Sequence, residues 1–140
     1  MTSDSPSADA SAPARTVPLV LIVDDSDKNR KLARDVLRAA GLGTLEAENA
    51  TEAVALAATR LPDVILLDLG LPDMVGTEVA RELRGRARTS HIPLVALSAL
   101  TDSGDHDWLV AAGFSGFLGK PIDVLAFPDQ VRRYCEADHP

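Results

Sequence analysis

Three aspartates stand where short apolar segments of the chain give way to polar sequence. Asp24 and Asp25 come directly after residues 19–23, and Asp68 comes directly after residues 64–67. Uninterrupted apolar segments of this length are typical of strands that are covered on both faces. In parallel sheets of such strands, functional groups gather beyond the carboxyl ends. If the two strands are neighbours, the three carboxylates meet at one corner of the sheet.

A corner of three carboxylates favours a bound cation. Like charges a few ångströms apart repel strongly in a partly buried site unless a cation or a raised pKa relieves them. Mg²⁺ suits such a corner because it takes a few oxygen ligands and keeps waters and phosphate oxygens around it. Zinc is not expected, since Cys135 is the single cysteine and the three histidines lack ligand spacing. We predict a magnesium site.

Two further polar groups end the later apolar segments. Ser98 closes the fourth segment with a hydroxyl, and Lys120 follows the fifth with an ammonium group. Both groups suit the oxygens of an incoming phosphoryl group. With a carboxylate nucleophile and a metal ion, they are sufficient to accept a phosphoryl group through a loose, in-line transition state. Asp68 is the predicted nucleophile.

The elements that position these groups alternate between strand and helix. Strands are predicted at residues 19–23, 44–48, 64–67, 94–97 and 114–118. This alternation predicts a parallel sheet with right-handed crossovers and helices on both faces. The predicted fold class is therefore α/β, a doubly wound five-stranded parallel sheet with strand order 2-1-3-4-5 and five helices.

Helix signals lie between the predicted strands. Asn49 is a predicted N-cap to which Glu52 can reach back, and Pro128 is a predicted first helical position. Asp102 or Ser103 is a predicted cap of the fourth helix. Apolar residues recur at helical spacing in each helix: Leu32, Val36, Leu37 and Ala40 before Gly41; Ala53, Leu56 and Ala57; Val79 and Leu83; Trp108, Leu109 and Ala112; Val131, Tyr134 and Cys135.

Length and composition indicate one folded unit. The chain has 140 residues, 46% of them hydrophobic, which suits one domain with one core. We predict a disordered leader over residues 1–17, a folded domain over 18–136 and a short tail over 137–140. The net charge of −7 disfavours nucleic-acid and anionic-membrane partners. No segment resembles a secretory signal or a membrane span, and a lone reduced cysteine fits the cytoplasm.

The chain resembles the response-regulator receiver family of two-component signalling. The resemblance covers residues 19 to about 134 and implies a flavodoxin-like receiver fold. Within the family, the segment 113–123 is similar to the single-domain DivK-like group. The residues on which the family resemblance rests are Asp24-Asp25, Asp68, Leu71-Pro72-Asp73 with Gly76, Ser98-Ala99 and Lys120-Pro121.

The resemblance implies a role for each residue of the metal site. Asp25 and Asp68 would bind Mg²⁺ directly together with the backbone carbonyl of Gly70, and Asp24 would bind it through water. Asp68 would be the phosphoacceptor.

The resemblance also implies a switch. Ser98 and Lys120 would contact the phosphoryl oxygens, and Phe117 matches the aromatic switch position of the family, although an aromatic residue of an apolar strand is as readily explained as plain core. The peptide bond between Lys120 and Pro121 would be cis. Trp108 is either a packing residue or part of a partner face.

The function favoured by these features is that of a stand-alone response regulator. It would accept a phosphoryl group on Asp68 from a histidine kinase or a histidine phosphotransfer protein, and a separate reader protein would sense its conformational change. It would be no enzyme beyond its own phosphorylation and dephosphorylation, and a monomer or weak homodimer. Gly70 and Leu100 offer no group that orients an attacking water, which predicts a long-lived phosphoryl state.

Two alternatives remain open. The first is a magnesium-dependent phosphohydrolase with an aspartate nucleophile, a class that needs a second acid two residues on, where this chain has Gly70. The second is a receiver-shaped binding module that is never phosphorylated.

Overall fold

The structure is a computed structural model that describes residues 17–71, 73–74, 76–98 and 107–137. The predicted leader therefore lies outside the described residues except for Val17, as do Asp102, Ser103 and most of the tail. Strands and helices alternate along the chain. They are β1 (Leu19–Val23), α1 (Asp27–Ala39), β2 (Gly43–Ala47), α2 (Ala50–Arg60), β3 (Val64–Asp68), α3 (Gly76–Arg84), β4 (Leu94–Ser98), α4 (Asp107–Ala112), β5 (Gly116–Gly119) and α5 (Phe127–Ala137).

The strands form one parallel sheet in the order β2-β1-β3-β4-β5, which confirms the predicted fold class and strand order. Val23 of β1 pairs with Leu67 of β3. The residue that follows each of these two is an aspartate, so Asp24 and Asp68 lie side by side at the carboxyl ends of the strands. On the other side of β3, Asp68 pairs with Leu97 of β4. The polar strand ends are thus brought together by register.

Two apolar clusters cover the two faces of the sheet, as the alternation of side chains along a strand requires. Leu21 and Leu67 belong to the cluster under α2, α3 and α4. Ile22 and Leu66 belong to the cluster under α1 and α5. Because both faces are buried, the central strands are apolar throughout, which explains the uninterrupted apolar segments of the sequence.

The ends of α1 follow from local hydrogen bonds. The hydroxyl oxygen of Ser26 accepts a hydrogen bond from the Asn29 N–H at 3.2 Å and caps the first turn. The helix ends at Ala39, and Gly41 follows with a φ of +92°, as predicted for a C-terminal stop. Leu37 is fully buried, whereas Leu32 is 44% exposed.

The start of α2 confirms the predicted cap. Asn49 Oδ1 accepts a hydrogen bond from the Glu52 N–H at 2.8 Å. The Glu52 carboxylate reaches back one residue further than predicted and accepts from the Glu48 N–H at 2.8 Å. Leu56, predicted in the buried stripe, is only partly buried.

The starts of β2, β5 and α5 differ from the prediction. β2 begins one residue earlier than predicted because the Gly43 N–H already pairs with the Pro18 carbonyl at 2.9 Å. β5 begins at Gly116 because Phe114 closes α4 instead, where its N–H donates to the Leu109 carbonyl at 2.9 Å. α5 begins at Phe127, one residue before Pro128.

Arg84, in the last turn of α3, joins three backbone segments. Its Nε and Nη2 donate to the Gly113 carbonyl at 3.0 and 2.8 Å. Its Nη1 donates to the carbonyls of Ser90 and Ile92 at 2.9 and 2.7 Å. These bonds attach the C-terminal end of α4 to α3 and to the start of β4.

Candidate functional site

Asp24 and Asp25 occupy the turn between β1 and α1. Asp24 is 2% exposed, and its Oδ1 accepts a hydrogen bond from the Ser26 N–H at 2.9 Å. Its own N–H donates to the Ala47 carbonyl at 3.1 Å, which continues the pairing of β1 with β2. Asp25 is exposed. The first acid is therefore held by the backbone, and the second faces solvent.

Asp68 is the last residue of β3 and is largely buried. Its Oδ1 accepts a hydrogen bond from the Gly70 N–H at 3.1 Å. The ammonium group of Lys120 lies 3.1 Å from the same oxygen. Asp68 thus combines a fixed carboxylate with a positive neighbour. The role of the Gly70 carbonyl as a metal ligand stays a prediction.

Asp24, Asp25 and Asp68 each offer a carboxylate oxygen within 4.8 Å of the other two. Two oxygens on opposite sides of a bound Mg²⁺ ion are about 4.2 Å apart, so the corner has the dimensions of a site for this ion. The donor set consists of oxygen atoms alone, which is what Mg²⁺ prefers. The residues present therefore fit a hard divalent cation.

The pKa of the Asp24 carboxyl shows the strain of this corner. Burial raises it above the ordinary value, and the Ser26 N–H lowers it. The charge of Asp68 raises it further, whereas the charge of Lys120 lowers it. The net shift is upward. Asp24 therefore holds its negative charge at a free-energy cost that a bound cation would reduce.

Lys120 and Ser98 complete the site from the far strands. Lys120 Nζ lies 3.7 Å from Asp24 Oδ2, so that the ammonium group bridges two of the acids. The Lys120 N–H donates to the Ser98 carbonyl at 2.8 Å, and the peptide bond to Pro121 is cis. Ser98 is 4% exposed at the end of β4. The structure thus brings both predicted residues to the acidic corner.

Phe117 is not a buried member of either apolar cluster. It is 40% exposed on β5, so the interpretation as plain core does not hold. Trp108 and Val110 of α4 are also exposed, at 44% and 67%. Helix α4 contacts β5, so these exposed residues lie on neighbouring elements. Cys135 is buried and free, and burial raises the pKa of its thiol to about 12, which fits the expected inert reduced cysteine.

The sequence analysis missed the contacts of two residues beside the site. Arg30 of α1 donates from Nη1 to the Asp24 carbonyl at 2.8 Å. Asp73 lies in the loop after β3, and its carboxylate accepts from the N–H groups of Ala50 and Thr51 at 3.0 and 3.2 Å. Asp73 was visible as part of the family motif, but its cap on α2 was not. A basic residue in the helix after an acidic turn was the available signal for Arg30.

A small cleft of about 50 Å³ adjoins the site between α1 and the segment after β5. It has Asp24 and Lys120 at one end, and Leu32 and Ile122 among its apolar walls. Small-molecule sites usually measure about 300 Å³ or more, so this cleft is far smaller than a pocket for an organic substrate.

The chain matches known proteins over nearly all of its described length. The family profile of the response regulator receiver domain matches residues 20–132. The polar-differentiation response regulators DivK of Brucella anthropi and Brucella ovis are both 36% identical over 115 residues, which cover 82% of this chain and 94% of each relative.

Solved structures agree. The chemotaxis response regulator CheY4 of Vibrio cholerae is similar with a TM-score of 0.79 and 29% identity, over 85% of this chain and 99% of that one. The receiver domain of the Francisella response regulator 1452 gives a TM-score of 0.78 and 25% identity, over 87% and 99%. The fold, the acidic strand ends and these similarities together show that the chain belongs to the response regulator receiver family.

Proposed function

We propose that this chain is a phosphoacceptor switch in which Asp68 receives a phosphoryl group from a histidine kinase or a histidine phosphotransfer protein. The observation that supports this best is the surroundings of Asp68. Its carboxylate is one of three within 4.8 Å of one another, and Lys120 Nζ lies 3.1 Å from its Oδ1. A nucleophile, a corner for a cation and a positive group for incoming charge therefore share one edge of the sheet.

In the proposed transfer, a carboxylate oxygen of Asp68 attacks phosphorus in line with the phosphorus–nitrogen bond of the donor's phosphohistidine. That bond breaks, its electron pair stays on the imidazole nitrogen, which takes a proton from solvent, and Asp68 becomes an acyl phosphate. The ammonium group of Lys120 and the hydroxyl of Ser98 stabilise the phosphoryl oxygens. The chain catalyses this step on itself.

Mg²⁺ is the proposed cofactor. Asp25, Asp68 and the Gly70 carbonyl would hold it directly, and Asp24 through water. When bound, the ion neutralises charge on the transferring phosphoryl oxygens. Buried Asp24 is suited to an indirect role because its Oδ1 is already bonded to the Ser26 N–H.

The signal is proposed to leave through the side formed by α4 and β5. A phosphoryl group on Asp68 would attract the Ser98 hydroxyl, shift the segment after β4 and open room for Phe117. A separate reader protein would sense the change. The exposed side chains of Trp108 and Val110 offer that reader an apolar surface. We further propose a monomer or weak homodimer, which sedimentation velocity measures directly.

Acetyl phosphate tests the proposal. The protein is incubated with acetyl phosphate and MgCl₂, and phosphorylation is read by intact mass and by a phosphate-retarding gel. We expect one phosphoryl group on the wild type and none on Asp68→Asn or in excess EDTA. The matched control is Asp35→Asn, which makes the same change at an exposed position of α1. Labelling of Asp68→Asn, or an unlabelled wild type, would contradict the proposal.

The same experiment separates the alternatives. A phosphohydrolase would hydrolyse many molecules of a phosphate ester per protein molecule. A switch accepts about one phosphoryl group per protein molecule and can accept another only after it has lost the first. Gly70 holds the place of the second acid such enzymes need, and the neighbouring cleft is small. A pure binding module would stay unlabelled.

A further inference from the structure

Arg30 ties the acidic turn to the neighbouring edge strand. Its side chain is 11% exposed. Nη1 donates to the Asp24 carbonyl at 2.8 Å, Nε donates to Glu46 Oε1 of β2 at 3.1 Å, and Nη2 contacts the Asp27 carboxylate. One nearly buried guanidinium group therefore contacts the backbone of the turn, the first turn of α1 and β2 at once.

These contacts restrict the peptide group that joins Asp24 to Asp25. The guanidinium group is a rigid planar fork, so partners in three directions fix its orientation. Its anchor on β2 is itself held, because Glu46 Oε2 accepts from Arg34 Nη1 at 3.2 Å. The Asp24 carbonyl belongs to the peptide unit that leads into Asp25. Holding that carbonyl sets the direction in which the exposed Asp25 carboxylate leaves the turn.

We propose that Arg30 is a positioning residue for the divalent-cation site, acting through the Asp24 carbonyl on the carboxylate of Asp25. The inference rests on the proposed function, since it concerns the affinity of that site for Mg²⁺. Residues that orient metal ligands from behind typically change metal affinity by about 10- to 100-fold when they are replaced. For a ligand on a turn held by one such bond, we expect the lower end of this range.

The sign of the effect separates positioning from charge. Arg30 is a cation close to a site for cations, so its charge alone weakens Mg²⁺ binding. If charge were its whole influence, Arg30→Met would bind Mg²⁺ more tightly and Arg30→Lys would match the wild type. Positioning predicts weaker Mg²⁺ binding than the wild type in both variants, because neither methionine nor lysine can hold the Asp24 carbonyl, Glu46 and Asp27 together.

The test is a Mg²⁺ titration of the full chain, followed by isothermal calorimetry and by amide shifts of the acidic turn. We expect the Kd for Mg²⁺ to rise about tenfold in Arg30→Met and by a smaller factor in Arg30→Lys. The matched control is Arg38→Met, in which the lost arginine also joins α1 to β2, through Thr44 Oγ1 at 2.8 Å, without touching the turn. Its Kd should stay within about twofold of the wild type.

Urea unfolding without Mg²⁺ establishes that each variant is folded. Should Arg30→Met fail to fold, Arg30→Lys and Glu46→Gln provide the same comparison, the latter by weakening the anchor of Arg30. A Kd in the folded Arg30 variants equal to or below that of the wild type overturns the inference and leaves the proposed function standing. A wild type that does not bind Mg²⁺ overturns both.

Discussion

Replacing Asp24 with asparagine should stabilise the protein without Mg²⁺ and destabilise it relative to the wild type when Mg²⁺ is present. The asparagine keeps an Oδ1 acceptor for the Ser26 N–H, removes the charge and places an NH2 group where Oδ2 faces Lys120. The pKa of Asp24 is raised in the folded protein, chiefly by burial. Its ionised form is therefore less favourable there than in the unfolded chain.

The contacts of Asp24 give the size of the effect. With an effective dielectric constant of about 20, repulsion from Asp68 at 4.8 Å or less is at least about 3.5 kcal/mol, and attraction to Lys120 at 3.7 Å is about 4.5 kcal/mol. These two contributions nearly cancel, and Asp25 adds a further, smaller repulsion, so burial, the largest cause of the raised pKa, decides. Burial of a carboxylate costs several kcal/mol, of which the Ser26 hydrogen bond offsets about 1.5 to 3 kcal/mol. We expect Asp24→Asn to gain about 1 to 2 kcal/mol at neutral pH.

The pH dependence follows from the raised pKa. Below the ordinary pKa of an aspartate, Asp24 is protonated in both states, and its contribution to stability is fully present. That contribution is lost as the pH rises through the higher pKa of the folded state. The advantage of Asp24→Asn should therefore be small near pH 4 and full at pH 7.

Urea unfolding in EDTA at several pH values, and again with MgCl₂, measures the prediction. A ligand at a hundred times its Kd stabilises the folded state by about 2.7 kcal/mol, which exceeds the expected gain, so a cation that the variant binds poorly reverses the order of stability. A variant less stable than the wild type in EDTA at pH 7 would refute the reasoning, because it would mean that attraction to Lys120 outweighs burial.

Three further outcomes are expected. Asp73→Ala should lose about 1 kcal/mol of stability, because it removes the hydrogen bonds that Asp73 accepts from the first turn of α2. The Ala50 N–H lowers the pKa of Asp73, so the wild type should lose this advantage as the pH falls through that pKa. Urea unfolding at pH 7 and pH 3 measures both effects. The phosphoryl group on Asp68 should be long-lived, and decay within seconds in the wild type would contradict this. Gly70→Asn should shorten the lifetime by adding a polar side chain that can orient an attacking water. The site has room for that side chain, since a Cβ at residue 70 would make an ordinary contact, 3.6 Å from Asp68 Oδ1. Cys135 should react with a thiol reagent only in denaturant, because it is buried and its thiol pKa is about 12; rapid labelling of the native protein would show otherwise.

The sequence was sufficient to predict where the acids meet because strand ends in a parallel sheet share one edge. Asp24 and Asp68 each follow an apolar strand, and the pairing of β1 with β3 makes them neighbours. Once the strands and their order were assigned, the corner required no further information. The same argument brought Ser98 and Lys120 to the site.

Contacts between side chains and distant backbone were not predictable in this way. The bond from Arg30 to the Asp24 carbonyl depends on Glu46, whose position on β2 matters only after the sheet has formed. Phe114 resembles a strand residue by type, yet its N–H closes α4. Hydrogen bonding of the assembled backbone, which residue type does not encode locally, decided these cases.

The hydrogen bonds that Arg84 donates to three backbone carbonyls have a mechanical consequence for signalling. They hold Gly113, which follows the C-terminal end of α4, to the side chain of Arg84 in α3, and they hold that side chain to the carbonyls of Ser90 and Ile92 in the connection between α3 and β4. A helix that is held at one end rotates about that end, so the displacement of a residue grows with its distance from the held end. Trp108, in the first turn of α4, would therefore move further than Ala112, which adjoins Gly113.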